Sequence, residues 1–173
     1  PDLHPKSATP TTAGANAAMG SLPFLAGDDP DRERASRGLV AAAPRQVQHP
    51  GGWPTWNLDA YAFLDGTPPD EVNPSLWRQA QLNNQAGLFE VAPGIHQVRG
   101  LDLANLTVIE GTEGRIVIDP LTSVETARAA LDLVDEHLGA RPVTAVIYTH
   151  SHVDHFAGVR GVIDEADVRA GKV

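Results

Sequence analysis

One strand, helix and strand pattern over residues 115–148 constrains the fold of this chain more than any other feature. The predicted strands 115–119 and 143–148 each contain a short β-branched apolar run, and apolar residues between them, over 122–138, recur at the helical period. Two strands joined through a helix pair in parallel, and α/β sheets build their sites at the carboxyl ends of such strands. We therefore expect an α/β chain whose candidate site follows residue 148.

The predicted helix 122–138 has clear end signals. Thr122 and Glu125 match a capping box, and Gly139 supplies a stop. Its apolar stripe, which we expect to pack on the sheet, consists of Val124, Ala127, Leu131, Val134 and Leu138. Because residues 143–148 are almost wholly apolar, we expect that strand to be buried on both faces.

The rest of the chain gives weaker signals. The pattern predicts a helix over 28–43, with Asp28 or Asp29 near its N-cap and Pro30 early in it, and a second helix over 75–85. Prolines, glycines and interspersed aromatic residues over 44–74 indicate packed irregular structure whose aromatic side chains anchor it. Short strands are predicted at 88–91, 95–99 and 105–110.

Composition excludes several classes of protein and of site. The formal net charge of −9 disfavours a nucleic-acid partner, and the longest apolar runs are far too short for a membrane-spanning helix. There is no cysteine, so disulfides and thiolate metal sites are impossible. Any metal must use nitrogen and oxygen ligands.

The strand 143–148 leads into the sequence HSHVDH, residues 150–155, which holds three of the seven histidines. His150 and His152 can grip one ion from an extended loop, while Asp154 and His155 can turn toward a second ion nearby. Imidazole and carboxylate donors suit zinc first, with iron or manganese possible. The isolated histidines, which we expect to be ordinary core or surface residues, are His4, His49, His96 and His137.

Several separated segments resemble the zinc-dependent alkylsulfatases, enzymes of the metallo-β-lactamase fold that hydrolyse dodecyl sulfate and related esters. The segments that carry the resemblance are 58–66, 73–91, 95–111, 116–123 and 146–162. The last contains THSHVDHFAG, similar to the fold's metal-binding signature, except that Ala157 stands where the motif usually has Gly.

The resemblance implies a fold, a site and a reaction. The fold is an α/β (α+β) metallo-β-lactamase-like αββα sandwich, of which this chain would hold only the first half. His150 and His152 would bind the first zinc, and Asp154 and His155 the second. Asp119, at the end of the strand 115–119, would hydrogen-bond the metal loop. Two zinc ions with activated water would hydrolyse alkyl sulfate esters to alcohol and inorganic sulfate, the catalytic and sulfate-binding residues being unknown.

The same reasoning predicts the organisation of the chain: a mobile tail over 1–27, an irregular and helical N-terminal arm over 28–87, and the first half of the sandwich over 88–173. The resemblance also implies a homodimer for the full-length protein and a periplasmic or secreted location, with the cytoplasm as the alternative. Two other functions stay open. One is a lactonase, thioesterase or β-lactamase of the same fold. The other applies if the chain ends at residue 173, and is a non-catalytic fragment that needs a partner chain.

Overall fold

The computed structural model describes residues 6–26 and 29–173, which divide into two compact units. The first unit comprises residues up to 36 together with 61–84, and the second comprises 37–60 and 85–173. The predicted arm 28–87 is thus shared between the two units. Asp28, one of the two predicted N-caps, lies outside the described residues, as do His4 and the first five residues of the predicted tail.

The first unit is helical. Its helices are α1 (Pro10–Met19), α2 (Pro23–Ala26), α3 (Pro30–Ser36) and α4 (Pro74–Asn83). Each begins at a proline, a residue whose fixed φ suits the first helical position. The predicted helix 75–85 is confirmed as α4, whose N-cap Asn73 accepts a hydrogen bond from the Ser75 N–H. A helix, α1, also occupies part of the predicted tail, and the mobility of that tail stays a prediction.

Arg78 in α4 organises the first unit. Its guanidinium donates two hydrogen bonds to Asp29, at 2.6 and 2.7 Å, and one to Asp31, at 2.6 Å. These bonds lower the pKa of both carboxyl groups. Asp29 also accepts a bond from the Asp31 N–H at the start of α3, so it acts as the predicted N-cap.

The second unit contains two sheets. Its strands are β1 (Leu39–Ala42), β2 (Gln46–Gln48), β3 (Pro54–Asn57), β4 (Gly87–Ala92), β5 (Ile95–Arg99), β6 (Leu106–Glu110), β7 (Arg115–Ile118) and β8 (Val143–Ile147). The main sheet has the order β1-β4-β5-β6-β7-β8, with β7 and β8 parallel and the other pairs antiparallel. The second unit also contains the helices α5 (Val124–Leu138) and α6 (Glu165–Arg169) and 3-10 turns at Val153–His155 and Val159–Gly161. A further 3-10 helix, Leu58–Asp65, has residues in both units. No helix of the described residues is long and apolar enough to span a bilayer.

The predicted helix over 28–43 is wrong in its second half. The chain leaves the helix at Gly38, whose φ of 76° favours glycine, and Leu39 then pairs with Phe89 of β4. Apolar residues 39–42 therefore extend the sheet. Beyond them, β2 and β3 form a hairpin in the segment predicted to be irregular, and Trp56 anchors it by donating an indole hydrogen bond to the Gly100 carbonyl at 2.7 Å.

The predicted crossover from β7 through α5 to β8 is confirmed, with two corrections. The N-cap of α5 is Ser123, which accepts from the Thr126 N–H, so Thr122 is not the capping residue. Val124 is exposed, but the rest of the predicted stripe packs in or against the core, and Ala127, Leu131 and Val134 are buried. They face the buried side chains of the sheet, which include Leu88, Val98, Leu106, Val108 and Val117.

The strand β8 is not buried on both faces. Its residues are exposed or half-buried: Val143 and Val146 pack against the core, while Thr144 and Ile147 are exposed. Ile147 at its end is 48% exposed.

Arg115, at the start of β7, is fully buried and ties the sheet to α5. Its guanidinium donates to Glu110 of β6 at 2.6 Å, to Asp135 of α5, and to the Gly139 carbonyl at 2.6 Å. Burial raises the pKa of Glu110, but hydrogen bonds from Arg115 and Arg141 outweigh burial and lower it overall. A buried cation is tolerated here because all of its partners are acceptors.

We expect Arg115→Met to destabilise the fold by about 3–5 kcal/mol, because removing one partner leaves two carboxylates and a carbonyl without their donor. Arg128→Met, on the exposed face of α5, is the matched control and should change the free energy of unfolding by no more than about 0.5 kcal/mol. Urea unfolding followed by circular dichroism measures both. Equal losses in the two variants would contradict the role of Arg115.

Candidate functional site

The predicted site residues lie at the carboxyl ends of the two parallel strands. Asp119 directly follows β7, and the segment Thr149–His155 follows β8. The strand ends are held in register because the Asp119 N–H donates to the Ile147 carbonyl at 2.9 Å. A parallel pair brings its carboxyl ends to the same edge, which is why residues 30 positions apart in sequence meet.

Asp119 binds both ends of the segment Thr149–His155, the histidine segment. Its carboxylate accepts hydrogen bonds from the Thr149 N–H at 2.8 Å, from the Thr149 hydroxyl at 2.7 Å and from His155 Nδ1 at 2.9 Å. Burial raises the pKa of Asp119, but these donors outweigh burial and lower it overall. An ionised carboxylate only accepts hydrogen bonds, so all three partners must donate to it.

This arrangement fixes the role of Nδ1 in two histidines. His155 donates its Nδ1–H to Asp119, which leaves Nε2 for other partners. The Thr149 hydroxyl proton is already used on Asp119, so the oxygen must accept from Nδ1 of His150, 2.9 Å away. Both imidazoles therefore use Nδ1 within the protein, and Nε2 is the nitrogen that could bind a cation.

The three histidine rings lie close together. The centroid of the His150 ring is 4.0 Å from that of His155 and 4.6 Å from that of His152. Asp154 Oδ2 lies 3.4 Å from His155 Nε2. His150 and His152 are exposed, whereas Asp154 and His155 are half-buried. The four predicted ligands and Asp119 are thus brought to one place.

The four predicted ligands are of the chemical types that bind metal ions, but they do not surround one ion position. Within residues 6–26 and 29–173, no three His, Asp or Glu side chains are arranged so that they could hold one ion. Yet His155 Nε2 and the Asp154 carboxylate face each other, an imidazole nitrogen beside a carboxylate oxygen. Imidazole and carboxylate are both ligands of zinc and similar ions, so the residues present fit part of a metal site.

A glycine lets the histidine segment pack against the loop that carries Asp119. The Gly158 N–H donates to the Leu121 carbonyl at 2.9 Å. A Cβ built on Gly158 would lie 2.2 Å from the Pro120 carbonyl oxygen and 2.5 Å from that of Ser123. This position therefore requires glycine, whereas the neighbouring Ala157, where the family motif usually has Gly, is accommodated.

Sequence reasoning missed Asp102, which follows Gly100 and Leu101 in a loop before β6. It is 8% exposed and accepts hydrogen bonds from Thr122 and Thr126, next to the Asp119 loop. A charged residue inside the apolar stretch LDLA was the one available signal. The other histidines of the described residues lie outside this segment: His49 follows β2, His96 is in β5 and His137 is in α5.

Comparisons with known proteins agree with the geometry. Residues 99–173 match the metallo-beta-lactamase superfamily. The chain is 55% identical over 173 residues to an (R)-specific secondary-alkylsulfatase of Pseudomonas sp, covering 99% of this chain and 26% of that protein. It is 52% identical over 172 residues to a linear primary-alkylsulfatase of Pseudomonas sp, covering 97% of this chain and 25% of that one.

A yeast protein and a solved structure extend the likeness. An alkyl/aryl-sulfatase of Saccharomyces cerevisiae is 46% identical over 171 residues, covering 97% of this chain and 26% of its own length. The solved structure of a stereoselective inverting sec-alkylsulfatase from Pseudomonas sp. matches with a TM-score of 0.90 and 55% identity, over 100% of this chain and 27% of that one. The fold prediction is confirmed as metallo-β-lactamase-like, and the chain spans about a quarter of the length of these relatives.

We expect Gly158→Ala to destabilise the protein by about 1–3 kcal/mol, the usual cost of overpacking, because two carbonyl oxygens occupy the space of the new methyl group. Gly14→Ala in α1 is the matched control: nothing lies within 4 Å of its Cβ, and alanine favours a helix. Thermal unfolding of both variants measures the difference. A Gly158→Ala protein as stable as the control would contradict the close approach.

Proposed function

We propose, from the membership of residues 99–173 in the metallo-β-lactamase superfamily, that this chain supplies part of the metal site of an enzyme that hydrolyses alkyl sulfate esters to alcohol and inorganic sulfate. The observation that carries the metal site is the position of Asp154 Oδ2, 3.4 Å from His155 Nε2, which sets a carboxylate and an imidazole ligand side by side. Asp119 accepts from the other ring nitrogen of His155, so Nε2 is the atom that can bind an ion.

The substrate class rests on similarity outside the superfamily domain. The fold serves many chemistries, so the histidine segment by itself does not choose among sulfatase, lactonase, thioesterase and β-lactamase. Residues before 99 lie outside the superfamily match, yet the alkylsulfatases align with 97–99% of the chain. Likeness in the helical unit as well as in the sheet favours a sulfate ester as substrate.

In this proposal, His150 and His152 bind the first ion, and Asp154 and His155 bind the second. Zinc is the first choice for imidazole and carboxylate donors, with iron or manganese as alternatives. Bound zinc would supply Lewis acidity, which makes hydroxide available from water near neutral pH and polarises the sulfate oxygens.

The side chains of this segment have separate tasks in the proposal. Asp119 orients the imidazole of His155 directly and that of His150 through the Thr149 hydroxyl, so both present Nε2. A homodimer and a periplasmic or secreted location stay predictions.

We expect the protein of the complete reading frame to bind about two zinc ions per subunit and to release inorganic sulfate from dodecyl sulfate. Metal analysis and sulfate release, before and after chelation and after zinc is restored, measure both properties. Chelation should abolish activity, and zinc should restore it. Unchanged activity in the metal-free protein would rule the proposal out.

We expect His152→Ala to lower metal content and activity together. The loss of activity should be at least about 100-fold, since even an outer partner of a metal ligand is worth 10–100-fold. His137→Ala, at the exposed C-terminal end of α5, is the matched control and should leave both nearly unchanged. If the two variants lose metal and activity equally, the assignment of His152 as a ligand is wrong.

A further inference from the structure

We propose that Asp102 is a positioning residue for the candidate metal site. It touches none of the predicted ligands, and it acts through the loop Asp119–Ser123. This inference rests on the proposed function only where it says that the segment after β8 binds metal. The hydrogen bonds that position this segment can be measured without any metal.

The carboxylate of Asp102 accepts hydrogen bonds from four donors. Its Oδ1 accepts from the Leu103 N–H and the Thr122 hydroxyl, both at 2.6 Å. Its Oδ2 accepts from the Thr122 N–H at 3.1 Å and from the Thr126 hydroxyl. The loop before β6 is thereby joined to the residue that precedes the N-cap of α5 and to the first turn of that helix.

The loop that Asp102 holds has an unfavourable backbone. Asp119 and Leu121 have φ values of 56° and 61°, in the left-handed region that few residues other than glycine enter. Pro120 lies between them, and the Leu121 N–H donates to the Asp119 carbonyl at 2.9 Å. Such conformations are unfavourable and persist where the surroundings impose them. Asp102 accepts hydrogen bonds from the N–H and the hydroxyl of Thr122, and so helps to impose this conformation.

Two groups of this loop reach the histidine segment. The Asp119 carboxylate holds Thr149 and His155, and the Leu121 carbonyl holds the Gly158 N–H. If the loop relaxes toward ordinary φ values, both groups move and the segment loses its supports at each end. Asp102 therefore determines indirectly, through the loop that carries Asp119, where the Nε2 atom of His155 lies.

The isosteric variant Asp102→Asn tests this directly. Each carboxylate oxygen faces a backbone N–H, from Leu103 on one side and Thr122 on the other. Whichever way the amide is turned, its NH₂ group opposes one of these donors. Thr122→Val removes a single hydroxyl bond and is the milder variant, and Thr122→Ser keeps that hydroxyl. Glu110→Gln, which weakens the Arg115 cluster at the other end of β7, is the control for general loss of stability.

The first measurement is hydrogen–deuterium exchange on the metal-free protein of the complete reading frame. The reporters are the amides of Thr149 and Gly158, which donate to Asp119 and Leu121. We expect Asp102→Asn to speed their exchange about 10-fold and Thr122→Val to speed it less. Thr122→Ser and Glu110→Gln should leave it close to the unchanged protein. Exchange equally fast in Asp102→Asn and Glu110→Gln, or unchanged in both, would overturn the inference.

The second measurement is the affinity for zinc in competition with a chelator. We expect Asp102→Asn to weaken zinc binding about 10-fold, the lower end of the effect of groups that orient metal ligands, and Thr122→Ser to retain the affinity of the unchanged protein. Glu110→Gln should bind zinc normally despite its lower stability. If the unchanged protein binds no zinc, the proposed function fails, while the exchange result still decides the role of Asp102.

Discussion

The carboxylate of Asp119 is the contact on which the arrangement of the candidate site depends. A single ionised group accepts hydrogen bonds from Thr149 and His155, and through the Thr149 hydroxyl it also makes Nδ1 of His150 a donor. Hydrogen bonds to a charged acceptor are stronger than neutral ones, so one side chain can order a segment that is otherwise largely exposed. The parallel pairing of β7 and β8 brings that carboxylate to the segment.

The short strand β7 is fixed by charge at both of its ends. At its start, the Arg115 guanidinium binds Glu110, Asp135 and the carbonyl at the end of α5. At its finish, Asp119 binds the segment after β8. The helix α5 runs back between these two points, and its own start is held by Asp102 through Thr126. The crossover is therefore held at both ends by charged groups, while its middle is held by apolar burial of residues such as Val117 and Val134.

The sequence predicted those features that are local. The metal-ligand spacing over residues 150–155, the aspartate at the end of a strand and the amphipathic helix can each be recognised within a short window. Asp102 could not be found in this way, because its partners Thr122 and Thr126 lie 20 and 24 residues away. The strand β1 was mistaken for a helix because four apolar residues suit either structure, and its pairing with β4 decides between them. The exposure of β8 likewise depends on which distant parts of the chain pack against it.

The unfavourable backbone of the loop Asp119–Ser123 gives the buried carboxylate of Asp102 a structural role. Two residues in the left-handed region cost together about 2–6 kcal/mol. The two hydrogen bonds from Thr122 to the Asp102 carboxylate, at about 1.5–3 kcal/mol each, contribute about 3–6 kcal/mol in the opposite direction. These magnitudes are matched, so the loop can keep its strained shape without help from a ligand. The Asp119 carboxylate is then in position before any cation arrives, and binding need not supply the free energy for arranging it.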